Sequence, residues 1–163
     1  MTKAIIFDFD QTLFDSSELE YWRSTNKWKY VFANLNKVKL YDGISDLFQK
    51  LKFYNIKIGV VSNSPSKYCK KILDAHTLKV DFIVGYHDTV LHKPSPDPIN
   101  LCISKMNINL SEIIGVGDKE VDMIAYNSAG IKHFLCNWGV NESENQPNYY
   151  DIILEPKQIL DII

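Results

Sequence analysis

The chain carries little with which to cross-link itself. Its three cysteines, Cys69, Cys102 and Cys136, are odd in number, far apart and without a CxxC pair. That pattern argues against a disulfide framework or a structural zinc site and fits a reducing cytoplasm. The four histidines, His76, His87, His92 and His133, form no metal-ligand spacing. No apolar run approaches the roughly 18 residues of a membrane span. The start, "MTKAIIFDFD", has too few apolar residues before Asp8 for a signal peptide. A net charge of −2 creates no field suited to nucleic acid or an anionic membrane. Repeats and low-complexity tracts are missing too.

What remains is ordinary globular composition, 45% apolar and 23% charged over 163 residues, the size of one domain with a proper core. Short apolar runs alternate with amphipathic segments, the signature of an α/β domain around a parallel sheet. Strands are predicted at Ala4–Phe9, Lys57–Ser62, Phe82–Tyr86, Ile113–Gly117 and Lys132–Cys136, with a weaker one at Ile152–Leu154. Helical stripes run through Ile44, Leu47, Phe48 and Leu51, through Ile99, Cys102, Ile103 and Met106, and through Val121, Ile124, Ala125 and Ser128. Gly130 is placed to end the last of these. Ser64-Pro65 and Asp97-Pro98 each put a cap before a proline at the first helical position, and Ser17 to Glu20 read as a capping box. The polar stretch 137–151 reads as a surface loop.

One run conflicts with its own burial. In "AIIFDFDQTLFDSS" the acids Asp8 and Asp10 interrupt an apolar strand two residues apart, so they share one side of it. Buried carboxylates are costly without compensation. Three further stretches stand at or just after predicted strand ends: "VVSNS" (60–64), "HKPSPD" (92–97) and "GVGDKEVD" (115–122). Ligands of open α/β sheets bind at the carboxyl ends of the strands, so the four stretches can converge. Singly, each has an ordinary reading: turn-forming acids, a helix cap at Ser62-Asn63-Ser64, a loop lysine at Lys93, and Asp122 facing solvent. Jointly they place several carboxylates beside one hydroxyl and one lysine, the composition of a metal-assisted phosphate site.

The order DxDxT, Ser-Asn after an apolar strand, Lys-Pro and GDxxxD resembles the haloacid dehalogenase superfamily of phosphohydrolases over roughly residues 4–139. "DFDQTLFDS" and "KPSPD" further resemble its phosphoglycolate phosphatase-like branch. The resemblance implies a three-layer Rossmann-like domain with the first strand central, the fourth beside it and the site at the switch point. It also implies that Asp8 is the nucleophile, forming an aspartyl-phosphate, and that Asp10 is the general acid and base. Ser62 and the backbone N–H of Asn63, with Thr12, would hold phosphate, and Lys93 would offset charge. The cofactor would be Mg²⁺, held by Asp8, the carbonyl of Asp10 and Asp118, with Asp122 acting through water or by orienting Lys93. Gln11 departs from the family pattern, where glycine is common.

A second departure is the cap. Relatives of this branch insert a helical domain after the first motif, yet here only residues 16–42 are free for it. Too short for a core of its own, that insert reads as two short helices within a single domain spanning 1–163. Trp28, Val31, Phe32 and Leu35 form a stripe suited to packing on the main domain. Arg23, Lys27, Lys29, Lys37 and Lys39, interleaved with Trp22, Trp28 and Tyr30, offer the weaker alternative of a nucleic-acid surface. The expected partner is a phosphorylated substrate, a small molecule or a macromolecular phosphate. A reduced cap leaves the site open, to be closed in part by the 137–151 loop, by a second copy or by a partner's lid. No membrane partner is expected. A phosphomutase and a non-catalytic binding protein of the same fold are the alternatives to a phosphatase.

Overall fold

Along the first strand, alternate side chains feed two different cores. In a computed structural model that describes residues 1–139 and 150–163, Ile5 and Phe7 pack on one side of the sheet and Ala4 and Ile6 on the other. All four are fully buried, which is why the strand reads as a continuous apolar run. In chain order the elements begin with β1 (Ala4–Phe7). A ribbon of β2 (Phe14–Asp15) and β3 (Lys39–Leu40) then brackets two short helices, α1 (Glu20–Ser24) and α2 (Trp28–Ala33). There follow α3 (Ile44–Phe53), β4 (Lys57–Val61), α4 (Ser66–Ala75), β5 (Phe82–Val84) and α5 (Asp97–Met106). Last come β6 (Ile113–Gly117), α6 (Glu120–Ser128), β7 (Lys132–Cys136) and β8 (Ile152–Ile153).

The main sheet is parallel, in the order β5-β4-β1-β6-β7-β8. Helices α3 and α4 cover the face that carries Ile5 and Phe7; α5 and α6 cover the other. This is the expected three-layer α/β architecture, with the first strand between its two partners. Register decides what meets at the top. Phe7 lies opposite both Val60 and Val116, so Asp8, Ser62 and Asp118 leave the sheet at nearly one level.

Several predicted boundaries shift. β1 stops at Phe7 rather than Phe9, β4 at Val61, β5 at Val84 and β8 at Ile153. Asp8 and Asp10 therefore follow a strand instead of sharing its face. The turn beyond it is set by Gln11 at φ +65°, where the family's usual glycine would be at ease. Pro65 occupies the capping position of α4, leaving Ser64 outside the helix, and α5 begins at Asp97 with Pro96 before it. No capping box forms at Ser17. Its N–H and hydroxyl both donate to Asp15, at 3.0 and 2.6 Å, so the N–H that a capping box would give to Glu20 is already bonded.

The buried face of α6 is also rotated from the predicted one. Asp122, Met123, Ala125 and Tyr126 are inside, whereas Ile124 is 43% exposed. Asp122 turns inward to an ion pair described below, and Tyr126 donates to the carbonyls of Ile6 and Val116 at 3.2 and 3.1 Å. Those polar bonds outweigh burying one isoleucine, a matter of about 1.5–3 kcal/mol. Gly130, at φ +76°, follows the end of α6 as predicted.

The insert does form two short helices. Val31 is buried and Trp28, Phe32 and Leu35 pack partly on the main core. Trp22 lies against Tyr30 with ring centroids 4.0 Å apart, so these rings contact each other. The β2–β3 ribbon that pins the insert at both ends was not legible as strands, being two residues on each side. Of the 137–151 loop, residues 140–149 lie outside the described residues. At its near edge Trp138 donates its indole N–H to the Thr12 carbonyl at 2.8 Å.

Candidate active site

The ends of β1, β4 and β6 bring the four motifs together. Asp8 follows β1 and its N–H bonds the Val116 carbonyl of β6 at 2.9 Å. Asp118 follows β6, and Asp122 returns from the first turn of α6. Gly117 makes that return possible: a Cβ there would stand 2.6 Å from the Asp122 Cβ. Lys93 arrives from the loop before α5 and puts Nζ between two acids, 2.6 Å from Asp8 Oδ1 and 2.5 Å from Asp122 Oδ1. Its third bond goes to the Val61 carbonyl at 3.0 Å. The lysine backbone is itself clamped, because the Asn63 amide donates to the Lys93 carbonyl at 3.0 Å and accepts its N–H at 3.1 Å.

Charge in this cluster does not balance. Asp8, Asp118 and Asp122 are all buried, with one carboxylate oxygen from each lying within 4.8 Å of the others. Lys93 answers only part of that. Burial alone would lower the lysine, but Asp122 and Asp8 outweigh it and hold the ammonium above its usual range. Burial, then repulsion from Asp122, pushes the Asp8 carboxyl up despite Lys93. Burial and then the charges of Asp8 and Asp122 push Asp118 up to about 8. Three carboxylates against one lysine, all-oxygen and desolvated, are a donor set that fits a hard divalent cation.

Asp10 stands apart from that trio. Its Oδ1 accepts from Ser16 at 2.7 Å and from the Tyr68 hydroxyl at 2.9 Å; its Oδ2 accepts from Ser64 at 2.7 Å. Arg23 Nη1 completes the set at 2.9 Å from Oδ2, and its Nη2 donates to Ser16 at 3.0 Å. A carboxylate has about four acceptor sites, and here each has a donor. The sequence reading named none of these four partners as site residues. The sequence reads Ser64 as a helix cap and Arg23 as part of a basic stretch interleaved with aromatics, and singles out neither Ser16 nor Tyr68. The only sequence signal was indirect: a buried acid at Asp10 demands donors, without saying from where.

The other candidates divide. Ser62 is buried and lines the cavity over the strand ends, as do Asp8, Asp10, Asn63, Lys93 and Asp122. Ser62 Oγ accepts the Ser64 N–H at 3.0 Å. Thr12 is not among the lining residues; it is fully buried and donates to Asp118 at 3.1 Å and, more weakly, to Asp8 at 3.4 Å. Gln11 accepts the Tyr41 hydroxyl at 2.6 Å and so braces the turn. The cavity holds about 610 Å³, and the insert supplies one wall through Arg23 and Trp28.

Comparison with known proteins agrees with this geometry. The chain is 30% identical over 131 residues to PpaX, a candidate pyrophosphatase of Caldanaerobacter subterraneus, covering 77% of this chain and 59% of that protein. It is 29% identical over 107 residues to a phosphoglycolate phosphatase of Vibrio parahaemolyticus, covering 64% of this chain and 47% of that one. The chain thus spans about half to three fifths of the length of these curated relatives. In fold it matches a candidate phosphoglycolate phosphatase from Lactobacillus plantarum, with a TM-score of 0.83, 18% identity and 100% of both chains covered. The family model for haloacid dehalogenase-like hydrolases matches residues 20–136, from the insert to the end of β7. With that match over most of its length, the chain belongs to the haloacid dehalogenase-like hydrolases.

Proposed function

We propose that the chain is a Mg²⁺-dependent phosphatase that hydrolyses phosphate monoesters through an aspartyl-phosphate on Asp8. The observation that carries this reading is the arrangement of two aspartates with different surroundings in one cavity. Asp8 sits in the carboxylate–lysine cluster, and Asp10 sits among donors beside it. The names of the relatives, a candidate pyrophosphatase and a phosphoglycolate phosphatase, point to the same chemistry.

In the first step an Asp8 oxygen bonds to phosphorus as the ester P–O bond breaks, and Asp10 gives the departing oxygen its proton. In the second, a water attacks the same phosphorus and Asp10 takes its proton. The Asp8–phosphorus bond breaks and inorganic phosphate leaves. Lys93, locked by three bonds and by Asn63, prevents Asp8 and the phosphoryl oxygens from repelling each other. Ser62 and the N–H of Asn63 would hold those oxygens, and Thr12 would keep Asp8 and Asp118 oriented. Asp8, Asp118 and Asp122, with the Asp10 carbonyl, would hold Mg²⁺, which when bound neutralises charge on the phosphoryl group. Residues 16–42 act as a reduced cap within a single domain, and the cavity they leave accepts bulky as well as small alcohols.

The reading is tested with esters of different leaving groups. Wild type should hydrolyse aryl and alkyl phosphates in Mg²⁺ and neither in EDTA. Asp10→Asn should slow the alkyl ester by about 10²–10⁴-fold, and the aryl ester, whose leaving oxygen needs less help, by less. Equal losses on both esters would remove Asp10 from the acid role.

Metal binding should also show in stability. Asp118 is held up to about 8 when folded against an ordinary value of 3.8. Between those values the folded chain keeps a proton that the unfolded chain has lost, so metal-free stability falls as pH rises across that window. A cation at the site replaces the proton. The rise in melting temperature on adding Mg²⁺ should therefore be larger near pH 8 than at about pH 5. A rise that does not change with pH would separate the metal from Asp118.

A further inference from the structure

We propose that Arg23 recognises a second anionic group, a carboxylate or phosphate, on the alcohol part of the substrate, exchanging Asp10 for it on binding. The inference rests on the phosphatase reading of the cavity, in which Asp10 stands at the leaving-group side. Composition first singles the residue out. Of the 18 basic side chains, 17 are lysine, and Arg23 is the one arginine. It stands in the wall of this cavity with its side chain only 14% exposed, whereas the neighbouring Glu20 is exposed. Lysine supplies a point charge, while the guanidinium fork matches the paired oxygens of a carboxylate or phosphate.

Its present partner does not depend on it. Without Arg23, Asp10 keeps three hydroxyl donors, Ser16, Ser64 and Tyr68. Arg23 also has a donor to spare: its Nε is buried and meets no acceptor among the described residues. A buried donor of this kind is costly until an oxygen reaches it. The helix that carries it, α1, is five residues long, buries none of them fully and is anchored through Trp22 rather than through Arg23. Of the other cations lining the cavity, Lys93 is buried and fully committed to Asp8, Asp122 and the Val61 carbonyl, and Lys119 is exposed to solvent. An anion on the alcohol side therefore finds Arg23, desolvated and able to turn.

The test measures binding in the full chain carrying Asp8→Asn, so that no ester is consumed. Phosphoglycolate, 2-hydroxyethyl phosphate and propanediol bisphosphate are titrated calorimetrically in Mg²⁺. At least one anionic ester should bind about 10-fold more tightly than the hydroxyl ester, and which one does so tells carboxylate from phosphate recognition. Adding Arg23→Lys should erase most of that preference and Arg23→Ala all of it, with affinity for the hydroxyl ester changed by less than about twofold. Arg23→Lys retains a cation beside Asp10 and stays decisive if the alanine variant does not fold. Equal affinities in the parent, no binding of any ester, or a preference that survives both substitutions would each overturn the proposal. Wild-type turnover of an aryl phosphate decides the phosphatase reading separately. Turnover without the preference removes the Arg23 proposal alone; the preference without turnover removes the phosphatase reading alone.

Discussion

Asp8→Asn should hydrolyse an aryl phosphate at least about 10⁴-fold more slowly than wild type, as expected when a nucleophile is removed. An amide can neither attack phosphorus nor carry the charge that the step requires. The loss should come without unfolding. Asp8 is raised by its own burial and by Asp122, so replacing it with a neutral group relieves repulsion. Lys93 meanwhile keeps Asp122 at 2.5 Å and the Val61 carbonyl at 3.0 Å. Turnover, measured beside a melting curve, checks both halves. Activity equal to wild type would remove Asp8 from the nucleophile role, and a collapsed melting temperature would make the activity uninformative about chemistry.

Lys93→Met should have the largest effect on stability, a loss of about 3–5 kcal/mol. The lysine side chain is 2% exposed and stands between two acids that are 9% and 2% exposed. Methionine fills similar volume but leaves Asp8 and Asp122 facing each other without a cation. Denaturation in urea, with and without Mg²⁺, is the measurement. The deficit should be greatest without metal and smaller with it, because a bound cation takes over part of the compensation. A midpoint unchanged from wild type would mean that the acids are balanced by something other than Lys93. Turnover should be lost under either condition, since phosphate and nucleophile would repel.

Much of this site was legible because its residues lie in short stretches. Asp8, Ser62 and Asp118 stand directly after a strand end, Asp122 in the first turn of the helix that follows and Lys93 just before α5, each in a short stretch that the sequence marks by residue type. The fold was legible for a related reason: strands buried on both faces read as unbroken apolar runs, and helices read by their stripes. The readings that shifted were ones in which a local rule met a tertiary demand. Periodicity put Ile124 inside α6, but the pair between Asp122 and Lys93 turned the helix. Propensity made Ser64 a cap, but Asp10 needed its hydroxyl more.

By itself, then, the sequence determined the α/β class and the set of residues near the strand ends, properties of local pattern, while the central place of the first strand followed from the family resemblance. Tertiary structure alone decided who compensates whom. Ser16, Arg23, Ser64 and Tyr68 are separated from Asp10 by as few as 6 and as many as 58 residues, and no spacing rule joins them. They meet because the insert, pinned by the β2–β3 ribbon, folds its first helix back over the end of β1 while α4 rises beside it. Desolvation supplies the reason they meet as they do. A carboxylate removed from water must find its donors wherever the chain passes, and only the packed structure shows which segments pass close enough.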